Sequence, residues 1–479
     1  MGLQTYEIPM SLYADNRKRV LKAMQASGEE GVALFKGGVA TERYDSDHEN
    51  LFRQESFFAY VFGVTEPGYF GAIDLKDGHS TLFIPRLAEE YAIWMGRIHP
   101  PSYLQKKYDV DDVFYVDEMA AKLNAYEVVH TLHGQNTDSQ SWCEEFEVEE
   151  LTARVEKGKL HTATMECRVC KSTAEIDVLR YVARISSEAH VKCMQMIEPG
   201  MAEYQIEACF QHYCYSIGGM RNMAYTCICA TGPNSAVLHY GHAGAPNNRI
   251  FGDGDMALMD MGAEYNCYCS DITCSYPVNG KFSADQRVVY SAVLAAQEAV
   301  FAAIKPGVEW VAMHRLAERS ILEVLLREGF LLGATVEELM GHGIGSVFMP
   351  HGLGHLLGLE THDVGGYPAG RERVPGKLGV SKLRMNRTLE EGMVLTVEPG
   401  CYFVEILLTK AMAEPATSRF FNAEAIKRCI SFGGVRLEDD IVVTADGMEN
   451  MTMCPKQIED VEAVMAGKEW PPPPPAPVA

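Results

Sequence analysis

Three histidines, His351, His355 and His362, fall within twelve residues of "MPHGLGHLLGLETHDVGG", a stretch that also holds five glycines. His351 and His355 have the spacing with which a helix would present two imidazoles to one metal, yet glycine at this density opposes a helix. The alternative is a loop whose backbone can approach a site closely, because Gly352, Gly354 and Gly358 carry no side chain. Such a loop can aim one imidazole at a metal and others at a substrate. No glutamate follows the first histidine, which excludes the two-histidine zinc helix of HExxH type.

Carboxylates placed in apolar strands supply the remaining donors. In "GDMALMDMGAEYNCYCSDITCSYPV" two strand-like runs flank a turn, and a hairpin centred on Tyr265–Asn266 sets Asp260 directly opposite Asp271. Opposed residues of an antiparallel pair share a face, with Cβ atoms about 5 Å apart, and like charges there are destabilising unless a cation lies between them. Two further strands repeat the pattern. "EGMVLTVEPG" alternates Met393, Leu395 and Val397 against Val394, Thr396 and Glu398, and "GGVRLEDDIVVT" sets Val435 and Leu437 against Arg436 and Glu438. An unpaired charge in such a strand costs several kcal/mol. Four acids with one histidine form an oxygen-rich donor set for two divalent ions, favouring Mn²⁺ or another hard ion over thiolate-bound zinc.

These residues need elements to hold them. To about residue 155 the chain reads as α/β: "ADNRKRVLKAMQAS" is an amphipathic helix, and "GVALFKG", "YFGAIDL" and "STLFIPR" are strands. Residues 156–170 are expected to be a connector. From 171 to 466 the chain reads as α+β, beginning with a long helix in "STAEIDVLRYVARISSEAHVKCMQMI", where Ser172 or Thr173 and Glu175 suit a capping arrangement. Further helices are expected at "EYQIEACFQHYCYSIGG", "SADQRVVYSAVLAAQEAVFAAI" and "WVAMHRLAERSILEVLLREG". Residues 467–479, ending in "PPPPPAPVA", cannot pack a core and are expected to be extended.

Bulk composition narrows the function classes. Among 479 residues, 65 acidic against 42 basic side chains give a net charge of −23, which opposes nucleic acid and anionic membrane surfaces as partners. No apolar run approaches a membrane span, and the expected location is the cytoplasm, with the 14 cysteines reduced. Cys167/Cys170, Cys227/Cys229 and Cys267/Cys269 lack the companions of a structural zinc site and are expected to be buried small hydrophobes.

"LMDMG", "SDIT", "HGLGH", "TVEPG" and "GVRLEDD", in that order, resemble the metallopeptidases of the pita-bread fold, and within them the prolidase (Xaa-Pro dipeptidase) family. The likeness extends to the N-terminal "FRQESFFAYVFGVTEPG" and "TLFIPRLAEEYAIWMGRI". It implies an α/β N-terminal domain serving substrate gating and dimerisation, followed by an α+β pita-bread catalytic domain. It implies two Mn²⁺ per subunit, with Co²⁺ or Zn²⁺ as alternatives: Asp260 on one, His355 and Glu398 on the other, Asp271 and Glu438 bridging both. A hydroxide between the metals would attack an Xaa-Pro or Xaa-hydroxyproline dipeptide, with Glu398 carrying the proton to the leaving nitrogen.

The same resemblance implies that His362 contacts the scissile peptide, and that His239, His351 and Tyr225 line the pocket. Arg436 orients ligands, and Arg384, fourteen residues before Glu398, clamps the substrate's free carboxylate. Trp94 would reach the partner subunit's site in a homodimer. His242 and His342 are expected to be structural. The competing expectations are an aminopeptidase P-type enzyme, needing open space where Arg384 stands, and a catalytically silent pita-bread binding module, which would have lost ligands.

Overall fold

A computed structural model describes residues 5–241 and 247–471. His242 and most of the proline-rich tail therefore lie outside the described residues. The chain divides into two compact units, one of residues 7–175 and one of residues 176–479 together with 1–6.

The N-terminal unit is built on a six-stranded mixed sheet with spatial order Asp112–Tyr115, Ser80–Ile84, Phe70–Asp74, Val32–Lys36, Val128–Thr131, Arg154–Lys157. The three strands expected from sequence form its centre, in antiparallel register with Leu34 opposite Ala72 and Gly71 opposite Leu82. Val32, Leu34, Ala72, Phe83 and Val129 bury one face as a core. Residues 156–170 are not a connector. They hold the end of the sixth strand and the helix Lys159–Val169, which is tied into this unit through Tyr60 Oη donating to Cys167 O at 3.1 Å. The "EKGKLHTATMECRVCKS" segment looks polar because only one side of its helix is covered: Leu160, Thr164 and Met165 are buried.

The helix Thr173–Met196, most of which belongs to the second unit, starts at the expected cap, where Ser172 N donates to Glu175 Oε2 at 2.8 Å and Glu175 N to Ser172 Oγ at 3.3 Å. Helices Glu203–Gly218, Ala284–Ala303 and Trp310–Arg327 follow as expected. Short sheets of two and three strands carry the site: Thr273–Pro277, Met256–Asp260 and Ile228–Thr231 in one; Val394–Val397, Asp439–Val443 and Met448–Asn450 in another; Gly400–Tyr402 with Gly434–Arg436 in a third. A bridge from Thr273 to Glu438, with Glu438 N donating to Thr273 O at 3.1 Å, joins the first of these sheets to the strand segment of the last acid. Helices and small sheets mixed in this way are the α+β pita-bread arrangement expected.

The hairpin register differs from expectation by two. Asp260 pairs with Thr273, and the turn falls at Asn266–Cys267, whose φ values of 48° and 71° are both positive. Consecutive positive φ angles define a tight hairpin turn that matches strand twist. Because side chains alternate with period two, a shift of two leaves Asp260 and Asp271 on one face, as diagonal rather than direct neighbours.

Candidate metal centre

Four acids and two histidines meet in overlapping groups. Potential ligand atoms of Asp260, Asp271 and Glu438 lie within 4.8 Å of one another, as do those of His355, Glu398 and Glu438, and those of Asp271, His355 and His362. Asp271, His355 and Glu438 each belong to two groups. Asp260, Asp271, Glu438 and His355 are buried, at 7%, 5%, 2% and 3% exposure.

Each donor is aimed by its neighbours. His355 Nδ1–H donates to the carbonyl of Leu356 at 3.1 Å, which leaves Nε2 facing Asp271 Oδ2 at 3.3 Å and Glu398 Oε1 at 3.5 Å. The glycine loop reaches this position by close backbone approach: a Cβ on Gly354 would stand 2.1 Å from Thr396 O, and one on Gly352 2.8 Å from Leu383 Cα. Thr396 Oγ1 then accepts from His355 N at 3.1 Å and donates to Glu398 Oε1 at 3.3 Å, so the expected alternation puts Thr396 and Glu398 on one side. Asp271 N donates to both oxygens of Asp440 at 3.1 and 3.2 Å.

Arg436 serves the opposite end. Its guanidinium donates to Asp260 Oδ2 at 2.5 Å, Thr273 Oγ1 at 3.0 Å and Tyr402 Oη at 2.8 Å, and lies 3.7 Å from Glu438 Oε2. Tyr225 Oη donates to Asp260 Oδ1 at 2.6 Å, and Thr273 Oγ1 to Glu438 Oε2 at 2.6 Å. The sequence reading missed Thr273, Tyr402 and Asp440. Asp440 alone carried a signal, as a second acid within a strand that is otherwise apolar.

The remaining expected residues are placed unequally. His362 stands edge-on to His355, ring centroids 4.5 Å apart at 86°. His351 is engaged at both nitrogens, Nδ1 with Gly352 O at 2.7 Å and Nε2 with Tyr402 Oη at 3.0 Å; burial, then Arg436, pushes its pKa down to about 3. It is a neutral imidazole whose Nδ1 also lies 3.6 Å from Glu398 Oε2. His239 is exposed, and its charge is felt at His351. Arg384 is half-buried, and its charge is felt at both His355 and Glu398. Trp94 is 82% exposed within the N-terminal unit. Cys227, Cys229, Cys267 and Cys269 are buried as expected, whereas Cys167 and Cys170 are only half-buried.

The donor set fits two divalent cations. Burial pushes the carboxyls of Asp260 and Glu438 up, Glu438 well above the usual range, with the mutual repulsion of the acids adding to it; Glu398 rises to about 7, again chiefly through burial. Crowded acids without a compensating cation must protonate, whereas positive charge among them restores the ionised, ligating forms. A buried cluster of hard oxygen donors with imidazole at one end is a donor set suited to the divalent-metal centre of a metallohydrolase.

Comparison with known proteins agrees. Residues 177–445 match metallopeptidase family M24, and residues 13–132 match the aminopeptidase P N-terminal domain. The chain belongs to metallopeptidase family M24. Xaa-Pro dipeptidases of Mus musculus and Homo sapiens are each 52% identical over 473 residues, covering 98% of this chain and 96% of theirs. A probable Xaa-Pro aminopeptidase of Verticillium alfalfae is 35% identical over 94% of this chain and 95% of its own. Among solved structures, the aminopeptidase PepP of Pseudomonas aeruginosa matches with a TM-score of 0.78 at 31% identity, covering 96% of this chain and 99% of that one.

Proposed function

We propose that this chain hydrolyses dipeptides with proline or hydroxyproline at the C-terminal position. The buried cluster of Asp260, Asp271, His355, Glu398 and Glu438 carries this reading, and the 52% identity to Xaa-Pro dipeptidases over nearly the full length of both chains supports its substrate class. His355 and Glu398 would hold one Mn²⁺ and Asp260 the other, with Asp271 and Glu438 shared; Co²⁺ and Zn²⁺ are the alternatives. Such a pair of cations acidifies water and polarises a carbonyl.

The protein's own groups do the rest. Glu398 takes the proton of the attacking water and passes it to the leaving proline nitrogen. Arg436 and Tyr225 hold Asp260 from both oxygens, which keeps the ligand face fixed. His362 faces the scissile carbonyl, and His239 and His351 border the proline pocket, His351 anchored to Tyr402. Arg384 pairs with the substrate carboxylate. An imide nitrogen bears no hydrogen, so recognition rests on the two ends of the substrate rather than on its peptide bond. The N-terminal unit gates substrate and forms a homodimer, with Trp94 and its exposed neighbours Ile93 and Met95 at the contact. The reaction takes place in the cytoplasm.

The test is hydrolysis of Gly-Pro against Gly-Pro-Xaa after chelation and readdition of Mn²⁺. The expected result is Gly-Pro cleavage that returns with Mn²⁺, with the tripeptide spared. Preference for the tripeptide replaces this reading with aminopeptidase P-type trimming, which the likeness to solved aminopeptidase P structures favours.

A further inference from the structure

We infer that Tyr367 and Arg373 are positioning residues that set the substrate-length ruler, by holding the backbone from which Arg384 reaches the substrate carboxylate. The inference rests on the proposed role of Arg384. Two segments, 362–367 and 383–387, carry His362 and Arg384 respectively and are stitched side by side. Asn386 N donates to Gly366 O at 2.9 Å, and Arg387, itself buried, donates Nη1–H to Gly365 O at 2.6 Å. Gly366 admits no side chain, because a Cβ there would stand 2.3 Å from Arg384 O. The residue before the clamp is held twice: Leu383 O accepts from Tyr367 Oη and from Arg373 Nη1, the latter at 2.7 Å. Arg373 lies over the Tyr367 ring, 5.0 Å from its centroid, so the two donors brace one another.

The consequence is geometric. His362 would face the scissile carbonyl and Arg384 the C-terminal carboxylate, and their separation is fixed by these cross-links rather than by either side chain. A guanidinium displaced by about 1 Å loses the bidentate geometry that a carboxylate rewards. Tyr367 and Arg373 donate to a backbone carbonyl and belong to none of the ligand groups of the metal centre, so their removal should weaken recognition of the free carboxylate and leave bond cleavage alone.

The experiment compares kcat and KM of the manganese-loaded full-length protein on Gly-Pro and on Gly-Pro-amide, which lacks the carboxylate. Tyr367→Phe and Arg373→Gln are each expected to raise KM for Gly-Pro roughly 5- to 10-fold, the size of one ordinary hydrogen bond, with kcat within about twofold. Constants for Gly-Pro-amide, metal content and melting temperature should be unchanged. Arg384→Gln is run in parallel, and adding Tyr367→Phe to it should cause no further loss on Gly-Pro. Equal losses on both substrates would mean a general structural role and overturn the inference, as would no loss on either. If Arg384→Gln is selective for Gly-Pro but the other two variants are not, the positioning inference fails alone. If Arg384→Gln shows no selectivity, the carboxylate clamp and the ruler fall together.

Discussion

Asp271 sits where two pulls meet: its carboxylate faces His355 at 3.3 Å, while its amide is held by both oxygens of Asp440. Asp271→Ala is expected to remove metal from the centre and abolish hydrolysis; metal analysis and a Gly-Pro assay check both, and full activity in chelated buffer would refute the assignment. Arg384→Ala should cost dipeptide turnover about tenfold or more while sparing metal content, as expected for a charge-assisted pair; equal, small effects on dipeptides and tripeptides count against it. The acids of the cluster were legible in the sequence because each interrupts an apolar strand, where an ion needs a partner. Thr273, Tyr402 and Asp440 were less legible, since a threonine, tyrosine or second acid in a strand is ordinary until its neighbour is known.

Elements add what spacing could not. The histidine loop works because Gly354 lies against the strand Val394–Val397, and a methyl group there meets Thr396 O. Gly354→Ala is expected to destabilise the fold by about 2 kcal/mol or more and to lower activity with it; thermal denaturation of the variant measures the first. The hairpin shows how far pattern reading extends. The side-chain period of two identified the shared face of Asp260 and Asp271, but the pairing register depended on a turn at Asn266–Cys267. Both residues adopt positive φ without glycine, and only Asn266 is of a type that favours it, so the sequence placed the turn one residue early. The helix Lys159–Val169 escaped for a related reason: its buried side includes the polar His161, Thr164 and Arg168, so the segment averages as polar.

Across the whole molecule, the acid cluster couples metal binding to stability. Cations that bind the folded centre and not the unfolded chain stabilise it by about 2.7 kcal/mol at a hundredfold excess over Kd. Adding Mn²⁺ to chelated protein should therefore raise the melting temperature by several degrees, and the gain should vanish in Asp271→Ala; differential scanning calorimetry reads both. In the N-terminal unit, Trp94→Ala should shift the protein toward monomer in analytical ultracentrifugation if the exposed Tyr91–Met95 segment forms the dimer contact. By itself the sequence determined which acids and which histidine gather into one buried cluster, the order of strands and helices that carry them and the family to which the chain belongs, because burial of charge and period-two alternation leave marks on any single strand. Only the tertiary structure decided which glycine admits a backbone neighbour, which hydroxyls and amides aim the ligands, and how the segments bearing His362 and Arg384 are cross-linked. Those depend on contacts between residues far apart in the chain, and no local pattern records them.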